Sequence, residues 1–229
     1  MKRLITSILD TASNPDNIEC IFYIDQDDNS YNTGGKRPVS ILTERTHRGG
    51  VWAHWITGSR IVLSEMWNVC YKHAKGPYYM HCGDDLIFRT EDWDTKLIAG
   101  FDPYPDKIAF VFADDGSDWG KTMGTHGVLH KNWVDTVGYF VPPYFSSDYN
   151  DTWLNDVAEM IGRKVFVPGV YNEHMHYSFG KAELDQTHAE RLERHARDNV
   201  AQIYEDMLPQ RQEDAQKLRA FIRNYNEHS

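Results

Sequence analysis

Two adjacent carboxylates, Asp84 and Asp85, follow the apolar run YYMHC and are the most distinctive chemical groups in this sequence. Neighbouring carboxylates repel each other, so a bound cation would remove a cost that the sequence otherwise imposes. Oxygen ligands suit Mg²⁺ and Mn²⁺, and such a metal keeps positions that phosphate oxygens can fill. We therefore predict a metal site at Asp84 and Asp85. The alternative is an ordinary turn with a helix-capping carboxylate.

Two histidines, His174 and His176, follow the last predicted strand within YNEHMHYSFGK. Alternate residues of an extended segment point to the same side, so both imidazoles could approach one site and one could complete the coordination. Imidazole beside carboxylates favours Mn²⁺ over Mg²⁺. A pair of surface histidines without a ligand is the other interpretation.

A second acidic segment contains Asp25, Asp27 and Asp28 and directly follows the predicted strand IECIFYI. Ligands of open α/β sheets bind beyond the carboxyl ends of the strands. We therefore predict that Asp25, with Asp27 beside it, contacts the base or ribose hydroxyls of a ligand. A solvated turn is the alternative.

The segment SSDYNDTW contributes two further carboxylates, Asp148 and Asp151. Asp151 can act as a general base if it reaches an acceptor hydroxyl. It can also serve only as a favourable negative charge at the start of a helix. Both readings stay open at this point.

Short apolar strands alternating with helices must position these residues. This pattern predicts an α/β domain with a parallel or mixed central sheet. Strands are predicted at 18–24, 51–57, 76–82, 107–113, 125–130 and 164–169, and helices at 4–13, 60–74 with Ser59 as cap, 91–100 with Thr90 as cap, and 151–161.

The carboxyl-terminal part is predicted to be helical. From His188 onward, apolar residues recur at spacings of three and four among many charged residues, which is typical of an amphipathic helix. Pro209 is predicted to divide it from a second helix that ends near Asn224. We predict an α/β domain at 1–187 and a helical extension at 188–229, which either packs on the domain or forms a contact between subunits.

The composition describes a globular protein. The chain has 229 residues, of which 41% are hydrophobic, and its formal net charge of -10 does not favour a nucleic-acid-coating protein. Its three cysteines show no disulfide or zinc pattern, so a reducing cytoplasm is expected. No apolar run is long enough to predict a membrane span.

The order of several segments resembles glycosyltransferase family 2 in its GT-A fold, particularly the compact members found in phages and bacteria. The resemblance covers residues 1 to 187 and depends on RIVLSEMWN, YYMHCGDD, GVLHKNW, PPYFSSDYNDTWLNDV and HMHYSFGK. It implies a Rossmann-like mixed sheet flanked by helices. It also implies transfer of a sugar from a nucleotide-sugar, expected to be a UDP-sugar, to an acceptor hydroxyl with inversion.

The resemblance implies a role for each residue of the metal site. CGDD occupies the position of the family's DxD motif, so Asp84 and Asp85 would bind Mn²⁺ or Mg²⁺ and, through it, the donor diphosphate. Cys82 stands where the first aspartate of that motif often lies, which puts the usual ribose contact from that position in doubt. Either His174 or His176 resembles the late histidine that ligates the metal.

The resemblance also implies the donor and acceptor contacts. Asp25 matches the acidic residue that contacts the nucleotide base, and Arg60 and Asn68 resemble polar positions that face the donor. Asp151 matches the catalytic base of inverting members, although Asn150 replaces the acid that usually precedes it. A glycan, a protein, a lipid-linked molecule or a modified nucleobase are all open as acceptors.

One departure concerns the start of the sequence. The family fold begins with a strand, followed by the helix that MKRLITSILDTA resembles. We therefore expect either that the sequence is shortened at its start or that the sheet leaves the place of that strand empty or fills it differently. Two other functions therefore stay open: a sugar-phosphate nucleotidyltransferase or related nucleotide-binding metal enzyme, and a non-catalytic binding module of the same fold.

Overall fold

The computed structural model describes residues 1–28, 50–184 and 186–228. The strands of this part are β1 (Glu19–Asp25), β2 (Trp52–Gly58), β3 (Tyr78–Met80), β4 (Leu86–Phe88), β5 (Phe110–Asp114), β6 (Gly127–His130) and β7 (Lys164–His174). The α-helices are α1 (Lys2–Thr11), α2 (Leu63–Tyr71), α3 (Trp93–Ala99), α4 (Lys131–Val137), α5 (Asn150–Met160), α6 (Gln186–Arg197), α7 (Val200–Asp206) and α8 (Leu208–His228).

These strands form two sheets. One sheet pairs β1 with β2 in parallel, and the other has the order β3-β6-β5-β7-β4. Within the second sheet β5 and β7 are parallel, whereas β3 and β5 run antiparallel to β6 and β4 runs antiparallel to β7. Helices flank the sheets, so the predicted mixed α/β architecture is confirmed.

The core lies on both faces of β5. Phe110 and Phe112 belong to one buried cluster, whereas Val111 and Ala113 belong to the other. Successive side chains of a strand point to opposite faces, so β5 contributes to both clusters and is buried as a central strand. The sheet built around β5 also contains β7 and β4, and the site residues His174 and Asp85 lie at the ends of these two strands.

The carboxyl-terminal helices complete one of these clusters. Val200, Ala215 and Leu218 are buried in the same cluster as residues of α4 and α5. Arg211 and Asp214 are also buried, and Asp214 accepts a hydrogen bond from Trp153 Nε1 at 3.3 Å. The extension thus packs on the chain's own helices. The boundary at 188 and the contact between subunits stay predictions.

The predicted helix at 60–74 starts later than expected. Helix α2 begins at Leu63, and its cap is Val62 in an extended conformation, without a side-chain cap. Ser59 instead accepts a hydrogen bond at its carbonyl from the Tyr23 hydroxyl. Arg60 therefore lies in the connection between β2 and α2, where its side chain reaches the acidic end of β1.

The segment after Asp85 also differs from the prediction. Leu86–Phe88 is a fully buried strand that pairs with β7, and the helix that follows begins at Trp93. Thr90 is not its cap, because its hydroxyl accepts a hydrogen bond from the amide of Tyr171. Three residues are too few to show a period, so the sequence pattern could not separate this strand from a turn.

Two further differences concern helices. The short helix α4 was not predicted. The tail breaks at Asn199, which has a positive φ of 48°, and at Met207, whereas Pro209 lies in the first turn of α8. Proline is tolerated there because the amides of a first helical turn have no partner within the helix. In the part of the chain that the structure describes, no helix is long and apolar enough to cross a membrane.

Candidate functional site

One large cleft, with a volume of about 2760 Å³, contains almost all of the predicted site residues. It runs along β1 and β3 and is bordered by the segments that follow β3 and β7 and by parts of α5 and α6. The predicted residues that line it are Asp25, Asp27, Arg60, Asp84, Asp85, Asp151, His174 and His176.

Asp85 and His174 meet inside this cleft because β4 pairs with β7. The pairing places Leu86 opposite His174, and Asp85 Oδ2 lies 3.2 Å from His174 Nε2. Burial alone would raise the pKa of Asp85, but the hydrogen bond and the charge of His174 outweigh it and hold the pKa well below its usual value. Asp85 is therefore a carboxylate at neutral pH.

Asp84 has a different partner. Its carbonyl oxygen and its Oδ2 each lie 3.0 Å from the amino group of Met1, and its side chain is 63% exposed. The two neighbouring carboxylates thus have two separate partners: Asp84 is paired with the amino group of Met1, which precedes α1, and Asp85 is paired with His174 at the end of β7.

The proposed metal ligands are only partly brought together. Among residues 1–28, 50–184 and 186–228, no three carboxylate, histidine or cysteine side chains surround one point in a way that would hold a metal ion. Asp85 and His174 face each other, and the ring of His176 lies 5.1 Å from that of His174, with its Nδ1 2.7 Å from Ser178 Oγ. Mg²⁺ and Mn²⁺ are often bound by one or two protein groups together with waters and phosphate oxygens. Asp85 and His174 fit such a site.

A third histidine, His126, lies behind this pair and was not singled out in the sequence. Its ring centroid is 4.7 Å from that of His174 in an edge-to-face arrangement, and neither of its ring nitrogens has a hydrogen-bond partner among the described residues. Burial, together with the charges of neighbouring histidines, lowers its pKa to about 3. It is a neutral imidazole that fixes the position of His174. In the sequence, only its position directly before β6 could have indicated that His126 lies near the site.

The acidic end of β1 is joined to Arg60. The Nε atom of Arg60 lies 3.7 Å from Asp25 Oδ2 and 3.4 Å from Asp27 Oδ2. Asp25 Oδ1 is buried and has no hydrogen-bond partner in the described chain. Burial raises the pKa of Asp25, and Arg60 opposes part of this effect. An unpartnered buried acceptor beside a cation is suited to a ligand that donates a hydrogen bond.

Asn68, which we predicted to face the donor, does not line the cleft. Its amide nitrogen donates to the carbonyl oxygens of Ser64 and Val141, and its amide oxygen accepts from the backbone of Phe140 and Val141. A side-chain amide offers two donors and two acceptor positions, and all four are used here. The structure therefore gives Asn68 the role of holding the segment at 140–141 against α2.

Asp151 lies in the first turn of α5 and accepts a hydrogen bond of 2.8 Å from the amide of Thr152. Burial raises the pKa of Asp151 to about 6, and the nearby charge of Asp148 adds to the effect. Asp151 is thus close to half-ionised slightly below neutral pH. This is the range in which a carboxylate is most effective as a general base.

Helix α6 reaches the cleft at several points and was treated in the sequence only as an amphipathic helix. Asp148 binds both Arg191 and His195, and its Oδ2 lies 2.7 Å from His195 Nδ1. Glu190 lies on the same helix and binds Arg60 at 2.9 Å. Arg191 and His195 are four residues apart and share one helix face, which is the only sequence pattern that could have indicated their role.

Two aromatic side chains border the Asp85–His174 pair. The ring centroid of Phe179 lies 5.7 Å from those of both His174 and His176, and Trp119 packs on Phe179 at 5.8 Å. Trp119 is 46% exposed and lines the cleft. An exposed indole at this place offers an apolar face with a polar N–H group, a combination suited to a sugar ring.

Of the comparisons with known proteins, only the one with solved structures bears on the fold. The sequence matches no protein-family model, and a search of curated proteins gave no match. Among solved structures, S. aureus TarS, a glycosyltransferase, is similar with a TM-score of 0.54 and 13% sequence identity. The match covers 84% of this chain and 40% of TarS, so the chain spans less than half the length of that protein. The chain therefore has a glycosyltransferase-like fold of the GT-A type.

Proposed function

We propose that this protein is a glycosyltransferase that moves a sugar from a nucleotide-sugar donor to an acceptor hydroxyl. The observation that carries the proposal is that three groups line the same cleft of a glycosyltransferase-like fold. These groups are the Asp85–His174 pair, the Asp25–Arg60 pair and the raised-pKa carboxyl of Asp151. Each supports one part of a transfer reaction.

The end of β1 binds the nucleoside in this proposal. The buried Oδ1 of Asp25 accepts a hydrogen bond from a base N–H or a ribose hydroxyl, and the guanidinium of Arg60 keeps Asp25 and Asp27 compensated. Binding at the carboxyl end of a strand agrees with the general position of ligands in open α/β sheets. We propose UDP as the nucleotide part of the donor.

The Asp85–His174 pair holds a divalent cation, for which imidazole favours Mn²⁺ and the carboxylate also allows Mg²⁺. When bound, such an ion stabilises the charge that develops on the diphosphate leaving group. Asp85 is ionised over the whole physiological range and is ready to bind a cation. His126 holds the ring of His174 in place from behind. His176 and Asp84 are further proposed ligands, and each would have to leave its present partner to bind the ion.

Asp151 serves as the base. Its carboxylate takes the proton of the acceptor hydroxyl while that oxygen forms a bond to the anomeric carbon and the bond from this carbon to the diphosphate breaks. Attack opposite to the leaving group inverts the anomeric configuration. Asp148 is paired with Arg191 and His195, whereas Asp151 accepts hydrogen bonds from Thr152. Among the residues that the structure describes, Asp151 forms no ion pair, which supports its role as the proton acceptor.

In the test, the protein is incubated with a panel of UDP-sugars, with Mn²⁺ or Mg²⁺, and with candidate glycan, peptide, lipid-linked and DNA acceptors. Two products are measured: free UDP and the acceptor that carries the sugar. The proposal expects metal-dependent release of UDP and a sugar adduct on one acceptor, detected by mass spectrometry. Release of pyrophosphate from a nucleoside triphosphate and a sugar phosphate would instead indicate a nucleotidyltransferase. Metal-dependent UDP binding by calorimetry without any turnover would indicate a binding module. No nucleotide binding in any condition would contradict the proposal.

A further inference from the structure

The turn that leads into α5 has an unusual backbone. Asp148 and Tyr149 have positive φ angles of 22° and 61°, in a region that a bulky residue such as tyrosine seldom adopts. Residues in such conformations cost free energy and persist only where their surroundings hold them. Tyr149 also stands at the cap position of α5, and no side chain caps that end of the helix. The turn therefore depends on contacts from other parts of the chain.

This turn sets the position of Asp151, which lies in the first turn of α5 and lines the cleft. The amide of Trp153 donates to the carbonyl of Tyr149 at 2.9 Å, so the first backbone bond of the helix starts from the turn. The side chain of Asn155 donates to the carbonyl of Asp151 at 2.8 Å. Because Asp151 lies only two residues after Tyr149, a change in the turn moves its carboxyl group relative to the cleft.

Helix α6 supplies contacts that hold the turn. Arg191 Nη1 donates to Asp148 Oδ1, and His195 Nδ1 lies 2.7 Å from Asp148 Oδ2, so both carboxylate oxygens have a partner on this helix. The side chains of Arg191 and Asp148 are only 27% and 28% exposed, and an ion pair that is partly removed from water is screened less than one on the open surface. The ring of His195 also stacks on that of Tyr149, with 6.1 Å between the centroids.

Arg191 is itself fixed from a second side. Its Nη2 donates to the hydroxyl of Tyr177 at 3.0 Å, so the guanidinium bridges the turn before α5 and the segment that follows β7. A planar guanidinium, with its donors in fixed directions, holds two acceptors in one geometry. One residue earlier on α6, Glu190 binds Arg60 at 2.9 Å. Helix α6 is thus attached to the cleft wall at three places, which makes it a firm support for the turn.

We propose that Arg191 is a positioning residue, which holds the turn at 148–149 through Asp148 and so keeps the carboxyl group of Asp151 in place to accept the proton of the acceptor. Arg191 does not take part in the proton transfer itself, because a guanidinium stays protonated in proteins. The inference rests on the proposed function, in which Asp151 is the base. It makes α6 a part of the reacting site, although the sequence indicated only an amphipathic helix.

The first test needs no substrate. Residue-resolved amide hydrogen exchange by NMR compares the unmodified protein with Arg191→Met, which keeps most of the aliphatic side chain and loses the ion pair. The amide of Trp153, which binds the turn, exchanges at least about tenfold faster in the variant, because the turn is no longer held. The amide of Ile161, at the other end of α5, is the internal control and changes little. Arg197→Ala removes a cation of the same helix at a 69% exposed position and leaves both amides unchanged.

The second test measures kcat at about pH 8, where Asp151 is ionised. Arg191→Met lowers kcat by about 10²-fold, the loss expected when a reacting group is displaced, while affinity for UDP with Mn²⁺ stays within about twofold. Arg191→Lys restores the ion pair and brings kcat to within about fivefold of the unmodified protein. Arg197→Ala leaves kcat unchanged.

A double-variant cycle separates this role from a general loss of packing. Asp148→Asn breaks the same pair from the other side, and asparagine tolerates a positive φ, so the backbone of the turn is still allowed. Asp148→Asn lowers kcat about as much as Arg191→Met does. Combining the two lowers kcat no further, because both changes remove one interaction. If Arg191→Met does not fold, as judged by circular dichroism, Asp148→Asn gives the same two measurements.

Three results would overturn the inference. An unchanged Trp153 amide in Arg191→Met would mean that the turn is held without Arg191. Losses of kcat that multiply in the double variant would mean that Arg191 and Asp148 act independently, and Arg191→Lys as slow as Arg191→Met would mean that the ion pair is not what matters. The failure of the proposed function looks different: the unmodified protein transfers no sugar, whereas the Trp153 amide still responds and shows that Arg191 holds the turn.

Discussion

The cleft has an aspartate at each of two edges, Asp25 and Asp85, and the structure shifts the pKa values of these two residues in opposite directions. At the end of β1, burial raises the pKa of Asp25 although Arg60 lies nearby. Ahead of β4, His174 lies closer to its carboxylate, at 3.2 Å, and the pKa of Asp85 is held well below its usual value. The first edge is suited to accept hydrogen bonds from a nucleoside, and the second is suited to hold a cation. The direction of a carboxyl pKa thus depends on burial and on the hydrogen bonds that the carboxylate accepts more than on the sequence around it.

Asp85→Asn is expected to have the largest effect. Under the proposed function, loss of this ionised metal ligand removes electrostatic stabilisation worth several kcal/mol, so kcat/KM falls by about 10³-fold and Mn²⁺-dependent UDP binding is lost. Asp84→Asn is the variant for comparison, because Asp84 is paired with the amino group of Met1 and would have to leave it to bind the ion. We expect that variant to lose less than about tenfold, measured by UDP release and calorimetry. Equal losses in both variants would contradict the division between the two carboxylates.

Asp151→Asn is expected to lower kcat by about 10²- to 10³-fold while UDP binding stays unchanged. The base works in its ionised form, so the rate of the unmodified enzyme rises with pH through about 6, the raised pKa of Asp151, and is level above it. The residual activity of the variant should not show this rise. Asp135→Asn, on the surface beside Lys131, serves as the control. An unchanged pH profile in Asp151→Asn would remove Asp151 from the reaction.

Asp25→Asn is expected to weaken UDP binding by about tenfold without changing its dependence on Mn²⁺, because the variant loses charged hydrogen bonds to the nucleoside only. Calorimetry with UDP at several Mn²⁺ concentrations measures both quantities. Asp27→Asn is the control, since Asp27 is 58% exposed and lies outside the buried position. Loss of the metal dependence in Asp25→Asn would mean that the two acidic edges act as one site.

Asn68→Ala is expected to have the smallest effect on binding and a clear effect on stability. The variant loses four backbone hydrogen bonds, so the free energy of unfolding falls by about 2–3 kcal/mol. Urea unfolding measures the change, with exposed Asn226→Ala as control. Affinity for UDP should stay within about twofold. A large loss of affinity at full stability would restore Asn68 as a donor contact.

Much of the fold could be predicted from the sequence because its strands are short, apolar and well separated. All six predicted strands are present with shifted ends, and the alternation of helices and strands correctly indicated the fold class. The strand Leu86–Phe88 could not be predicted, since three residues carry no period and its stability comes from pairing with β7. The break of the tail at Asn199 uses the left-handed backbone conformation, with a φ of 48°, that asparagine adopts more readily than most residues. This local signal was not used in the sequence analysis.

The sequence by itself determined which groups were available at the strand ends and at the start of α5: the carboxylates Asp25, Asp85 and Asp151 and the histidines His174 and His176. Only the tertiary structure decided their partners. It gave Asp84 and Asp85 different partners and placed the ring of His126 against that of His174. It also directed the side chain of Asn68 to backbone groups and placed Arg191 and His195 beside Asp148. The reason is physical: a side chain's ionisation and hydrogen bonding depend on burial and on groups within a few ångströms. Here those groups come from distant parts of the chain.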